Sequence, residues 1–187
     1  MLKVETTPLS SLYVITPKIV EDARGFFMEV YREDLYREQG LVIERFVQQN
    51  HSRSGRGILR GLHFQYDAPL GKLIRVINGQ AFLAAVDIRK QSQTLGQWFG
   101  LDLSAENKKA IYVPPGFASG FAVTGDIAEV EYLYTAVYNQ AGESNIIWND
   151  PAVGIKWPIT ADPILSDRDK GARTLDEWLK TPESDLF

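Results

Sequence analysis

Only two histidines, His51 and His63, and no cysteine occur in the 187 residues. The missing thiols remove disulfides, thiolate nucleophiles and Cys-ligated zinc or iron–sulfur centres. Proton-transfer chemistry must therefore be built from an imidazole, carboxylates, lysines and tyrosines. The segment Arg53-Ser-Gly-Arg-Gly-Ile-Leu-Arg-Gly-Leu-His-Phe-Gln65 sets Arg60 three residues before His63 on one predicted strand. A regular pleat would turn these two side chains to opposite faces. A bulge at Gly61 would bring both to the same side, and glycine inside a strand is a frequent bulge marker. A lone histidine is more often a surface or hydrogen-bonded core residue than a catalyst, so both readings stand on residue type alone.

Other residues offer the same choice. Lys72 follows Gly71 and opens the apolar run Leu73-Ile74-Arg75-Val76; it reads as a solvated lysine at a strand start or as a cation aimed into a site. Val130, Tyr132 and Tyr134 share one face of a strand, with Glu129, Glu131 and Leu133 on the other. An inward tyrosine is usually a packing residue whose hydroxyl finds a neighbour, and acid catalysis is the less common use. Leu165-Ser-Asp-Arg-Asp-Lys170 reads as an exposed charged loop. Asp22-Ala-Arg-Gly-Phe-Phe-Met-Glu29 combines an arginine, aromatics and a carboxylate, and fits either a base-and-phosphate cradle or a strand with a charged edge. Metal-binding barrels of the cupin kind use two or three histidines, typically with a His-x-His pair on one strand. That pair is missing, since His51 stands twelve residues from His63. No metal and no other cofactor are expected.

The elements that must position these residues are mostly strands. Short runs rich in Val, Ile, Phe and Tyr alternate with Gly, Pro and Asn. They predict strands over Leu12–Thr16, Gly25–Tyr31, Phe46–Ser52, Ile58–Gln65, Leu73–Asn78, Gly79–Asp87, Trp98–Ser104, Lys109–Val113, Ala118–Thr124 and Ala128–Tyr134. Asn78-Gly79 predicts a two-residue hairpin, because both residues tolerate the positive φ of a type I′ turn. Helical signals are confined to Arg32–Gln39, closed by Gly40, and Leu175–Lys180, opened by Thr174. About ten strands without βαβ alternation imply an antiparallel double-sheet jelly roll with a few short peripheral helices. A single domain over 1–187 is expected, with residues 181–187 as a frayed tail.

Composition narrows the function classes. Hydrophobic residues make up 44% and charged residues 24%, ordinary values for a globular chain. Ala81 to Val86, the longest clearly apolar stretch, is far too short to cross a bilayer. A formal charge of −4 provides no global field for polyanions, so nucleic acid is not an expected partner and any anionic ligand needs a local Lys/Arg cluster. Residues 1–20 have neither a basic n-region nor an apolar h-region, and a cytoplasmic location is expected.

Several of these segments together resemble the dTDP-4-dehydrorhamnose 3,5-epimerase family, metal-free cupin-like enzymes of deoxysugar biosynthesis. They are Asp22–Glu29, Phe46-Val-Gln-Gln-Asn-His-Ser-Arg-Ser54, Arg60-Gly-Leu-His-Phe-Gln65, Gly71-Lys72, Val113-Pro-Pro-Gly-Phe-Ala-Ser-Gly-Phe121, Ala128-Glu129 through Tyr138, Trp148-Asn-Asp-Pro151, Trp157-Pro158 and Leu165-Ser-Asp-Arg-Asp169. The resemblance implies a dTDP-4-keto-6-deoxyhexose as substrate and inversion at C3, C5 or both. It makes His63 the general base, Asp169 the carboxylate that orients it, Tyr132 the proton donor on the opposite face and Lys72 the cation near the ketone. Substrate binding is implied for Arg24, Phe27, Glu29, Gln48, Asn50, Arg60, Ser119, Tyr138, Glu143 and Arg168. Ser119 stands where the family often has histidine, and Leu133-Tyr134-Thr135-Ala136 departs from a common Lys-Thr-Thr run. These departures leave open a single-centre epimerase, a related nucleotide sugar, or a catalytically silent sugar-nucleotide-binding cupin. The resemblance also implies a homodimer in which the amino-terminal segment of one subunit completes its neighbour's site.

Overall fold

The structure is a computed structural model that describes residues 2–41, 43 and 45–187. Its strands are β1 (Lys3–Thr6), β2 (Tyr13–Thr16), β3 (Ile19–Asp22), β4 (Gly25–Met28), β5 (Gln48–Gly55), β6 (Leu59–Gln65), β7 (Lys72–Asp87), β8 (Trp98–Ser104), β9 (Ala110–Val113), β10 (Phe117–Tyr134) and β11 (Glu143–Asn145). Short helices α1 (Glu33–Glu38), α2 (Asp167–Lys170) and α3 (Leu175–Leu179) lie between and after them. All strand ladders are antiparallel, and the architecture is the mainly β, cupin-like jelly roll. No helix among the described residues is long and apolar enough to cross a membrane.

Two long strands organise everything else. The first half of β7 pairs with β9 and its second half with β8. The second half of β10 pairs with β5, its first half with β6, and β7 runs beside β10 along both halves. Each long strand thus belongs to two walls. One wall holds β11, β6, the first half of β10, the second half of β7 and β8. The other holds β1, β2, β9, the first half of β7, the second half of β10 and β5.

The expected hairpin at Asn78-Gly79 is therefore corrected. Residues 73–78 and 79–87 do not fold back on each other; they continue as one strand, and both pair with β10. The sequence signal was a real demand for positive φ, since Gly79 has φ +74 and a Cβ there would lie 1.8 Å from the Ile127 carbonyl oxygen. The chain uses that freedom to bend from one wall to the other, where the ladder shifts register between Val123 and Ala128. The predicted strands at 118–124 and 128–134 likewise merge into β10.

The space between the walls is filled by Leu12, Ile74, Leu83, Leu103, Ile111, Val113, Phe121 and Val130, all buried. Each large aliphatic or aromatic side chain removed from water there contributes roughly 1.5–3 kcal/mol. A second cluster packs Trp178 of α3 against Phe64, with Phe187 at its margin. Residues 181–187, expected to fray, instead form a 3-10 turn over Pro182–Leu186. It buries Ser184, whose hydroxyl donates to the carbonyls of Thr181 and Leu179. Helix α3 opens at Thr174 as predicted, on a capping box closed by Glu177.

Candidate active site

On β6, Arg60 pairs with Phe121 and His63 with Ser119, so Gly61 and Leu62 oppose the single residue Gly120. This is the bulge the glycine predicted. Gly61 has φ +134, and a Cβ on it would sit 2.5 Å from the Gly120 Cα, so no other residue fits without moving β10. Arg60 and His63 consequently line the same cavity, about 210 Å³, between the two walls.

His63 Nε2 lies 2.6 Å from Asp169 Oδ1. Asp169 is only 2% exposed, the exception in a segment whose Ser166, Asp167, Arg168 and Lys170 are exposed as expected. Ser166 caps α2 by accepting a hydrogen bond from the Asp169 N–H, and this single turn swings the carboxylate inward. Asn145 of β11 holds the turn in place by donating to the Arg168 carbonyl. Burial pushes the Asp169 carboxyl up. The hydrogen bond and charge of His63, the Ser166 hydroxyl and the Gly61 backbone outweigh it, leaving the pKa below the ordinary carboxylate value. With Nε2 donating to a carboxylate, the lone pair of the neutral ring resides on Nδ1, the atom available as a base.

Lys72, at the start of β7, is buried. Its Nζ donates to the His63 carbonyl (2.9 Å) and to Ser119 Oγ (3.3 Å), tying the two walls together. One of its three N–H groups is left for a ligand. Burial lowers its pKa to about 8, with Glu143 partly opposing that shift and Arg168 adding to it. At neutral pH it remains a cation.

Tyr132 enters the cavity from the opposite wall. Burial pushes its pKa up to about 12 even though Ser52 hydrogen-bonds the hydroxyl, so the phenol is neutral and can donate a proton. Its oxygen is 3.3 Å from Ser52 Oγ. Along β5 the inward positions alternate with outward ones, which places Gln48, Asn50, Ser52 and Ser54 on the cavity side. His51 turns the other way and meets Glu129. Ser54, buried, accepts from Arg60 Nε at 2.8 Å and aims the guanidinium.

Glu143, paired with Arg168 and accepting from the Tyr138 hydroxyl at 2.6 Å, forms one edge of the cavity. Tyr138 is anchored through its backbone N–H to Gln48, whose amide also donates to Asn50. Of the residues singled out from sequence, His63, Lys72, Tyr132, Asn50, Arg60, Ser119 and Glu143 line the cavity, while Asp169, Gln48, Tyr138 and Arg168 bond to residues that do.

Three are not brought there. Arg24, Phe27 and Glu29 lie on or just after the separate β3–β4 ribbon, where Arg24 pairs with Asp22, Phe27 is 69% exposed and Glu29 meets Arg32. Sequence reasoning did not single out Ser52, Ser54 or Ser166. Period-two alternation from Asn50 would have found the first two, and the serine N-cap pattern before Asp167 would have found the third. Among the described residues no group of three or more His, Cys, Asp or Glu side chains could hold a metal ion.

A jelly roll enclosing a neutral phenol, a carboxylate-held imidazole and an internal ammonium defines an acid–base enzyme of the cupin-like class. The family model described as dTDP-4-dehydrorhamnose 3,5-epimerase matches residues 6–177, and the chain belongs to that family. The enzyme of that name from Methanothermobacter thermautotrophicus is 46% identical over 173 residues, covering 91% of this chain and 93% of its own. The one from Neisseria gonorrhoeae is 45% identical over 180 residues, 96% of this chain; the present chain spans 54% of that longer relative. Among solved structures, the dTDP-6-deoxy-D-glucose-3,5-epimerase of Legionella pneumophila, in complex with dTDP-4-keto-L-rhamnose, superposes with a TM-score of 0.94 at 41% identity, covering 98% of this chain and 97% of that one.

Proposed function

We propose that the protein inverts C3 and C5 of dTDP-4-keto-6-deoxyglucose, giving dTDP-4-dehydrorhamnose, by reversible enolisation. The observation that carries this reading is that His63 and Tyr132 come from opposite walls of one cavity with Lys72 between the two sheets. The C4 ketone acidifies the hydrogens on both neighbouring carbons. His63 Nδ1 takes one of them, and the electron pair of the broken C–H bond moves into an enolate whose negative charge settles on O4. The Lys72 ammonium stabilises that oxygen. The phenol of Tyr132 then delivers its proton to the same carbon from the other side of the ring. The phenolate and the imidazolium return to their starting forms by exchange with solvent. Asp169 keeps Nδ1 as the basic nitrogen and supports the imidazolium.

Arg60 and Arg168 suit diphosphate oxygens, and the exposed Tyr138 ring suits stacking on thymine. The β3–β4 ribbon, with Arg24, Phe27 and nearby Glu29, fits a role on the nucleotide in the site of a second copy, because it offers these groups to solvent away from its own cavity. The enzyme then acts as a cytoplasmic homodimer.

Product NMR in deuterated water tests the reading directly. Deuterium is expected at both C3 and C5 with inverted configuration. Exchange and inversion at one carbon only would narrow the activity to a single-centre epimerase, and tight binding without any exchange would leave a sugar-nucleotide-binding module.

A further inference from the structure

We infer that Ser52 is a positioning residue for the protonating half of the reaction, holding the Tyr132 hydroxyl toward the ring and donating to its oxygen as the proton leaves. This rests on the epimerase reading above. Ser52 Oγ, 3.3 Å away, is the one hydrogen-bond partner of that phenol oxygen among the described residues. The register explains the contact: Asn50 faces Tyr132 and Ser52 faces Val130, so Ser52 is the diagonal neighbour of Tyr132 on the cavity side of the β5–β10 ladder.

The direction of the bond follows from the chemistry. A phenol that gives its proton to a carbanion must point its O–H at the carbon, so the shared hydrogen on the β5 side has to come from serine. As the phenol O–H bond breaks and the new C–H bond forms, charge builds on the phenolate oxygen, and a neutral hydrogen bond becomes a charge-assisted one. The interaction is therefore stronger in the transition state than in the ground state, which is the condition for it to speed the step. Burial opposes the phenolate, so this donor acts at the point of greatest need, alongside the positive charge of Arg60. The hydroxyl does nothing comparable for His63, which is oriented from the opposite wall by Asp169.

This division predicts a change in partition. In deuterated water, His63 alone can return deuterium to the face from which it took the proton, giving labelled but uninverted substrate. Only the phenol gives inverted product. Ser52→Ala is expected to lower the ratio of inversion to uninverted exchange by about two- to tenfold, the range for one lost hydrogen bond. Ser52→Thr, which keeps a hydroxyl on a strand-compatible side chain, should restore the ratio. A general loosening of β5 would slow both products together and leave the ratio in place. An unchanged ratio in Ser52→Ala, with the parent enzyme exchanging and inverting normally, overturns the role of Ser52 alone. A parent enzyme that exchanges at neither carbon overturns the epimerase reading instead.

Discussion

The cavity and the β3–β4 ribbon carry the two halves of the proposed chemistry under opposite physical regimes. Asp169 is 2% exposed and Lys72 9% exposed, and each has a partner far away in sequence, His63 for the aspartate and Ser119 for the lysine. Arg24 and Phe27, in contrast, are mostly in water, and among the described residues the arginine bonds only to Asp22 two residues away. Burial tunes the first group: it lowers the lysine pKa, raises that of the phenol and makes each hydrogen bond count. In the second group the arginine is tuned only locally, by its exposed neighbour Asp22 rather than by burial. Proton-transfer groups are thus held in place within one chain, while the ribbon's groups are held by little beyond the ribbon itself.

The comparison breaks most readily at His63. Replacing it with alanine is expected to slow deuterium exchange at C3 and C5 by at least about a hundredfold, the usual scale of general-base catalysis. The affinity for dTDP should stay that of the parent, because the nucleotide contacts lie elsewhere; a variant that keeps its exchange rate would remove the imidazole from the mechanism. A smaller effect comes from Lys72. Its pKa of about 8 means the ammonium is present below that pH and lost above it. A kcat/KM profile should fall on the alkaline side from about pH 8, by about tenfold per unit. Lys72→Met should lower the whole profile and abolish this limb, and a limb that persists in that variant belongs to another group.

The smallest effect is expected on the ribbon. Arg24→Ala should raise KM several-fold, with kcat and thermal stability kept because its pair with Asp22 is a surface one. Mixing Arg24→Ala chains with His63→Ala chains sharpens the point. If each ribbon serves a second copy, mixed dimers contain one site with both substitutions and one with neither. Part of the activity then regains the parent KM. Kinetics identical to those of the unmixed Arg24→Ala enzyme would confine each ribbon to its own chain.

Strand content was readable because β-branched and aromatic runs between turn residues leave few other folds, and Gly61 signalled the bulge that aligns Arg60 with His63. The misread hairpin has a specific cause. Asn-Gly reports only that positive φ is needed, and a strand bending between two sheets needs it as much as a reversal does. Strands β1, β3 and β11 have three or four residues each, too few for an alternation to stand out. Asp169 was visible only through family resemblance. Its neighbours are charged, its helix is one turn long, and its partner is 106 positions earlier, so nothing local distinguishes it from a solvated acid. The serines of β5 were legible in principle, but hydroxyls acquire meaning only once the ladder shows which tyrosine they face.

The late position of Asp169 has a consequence for biosynthesis of the chain. A ribosome has made every strand from β1 to β11 before it reaches the residue that aligns the imidazole. Products of premature termination can contain β1 through β11 and still have no properly oriented base. Turnover therefore reports that translation has passed Asp169, and with it the turn that carries the orienting carboxylate.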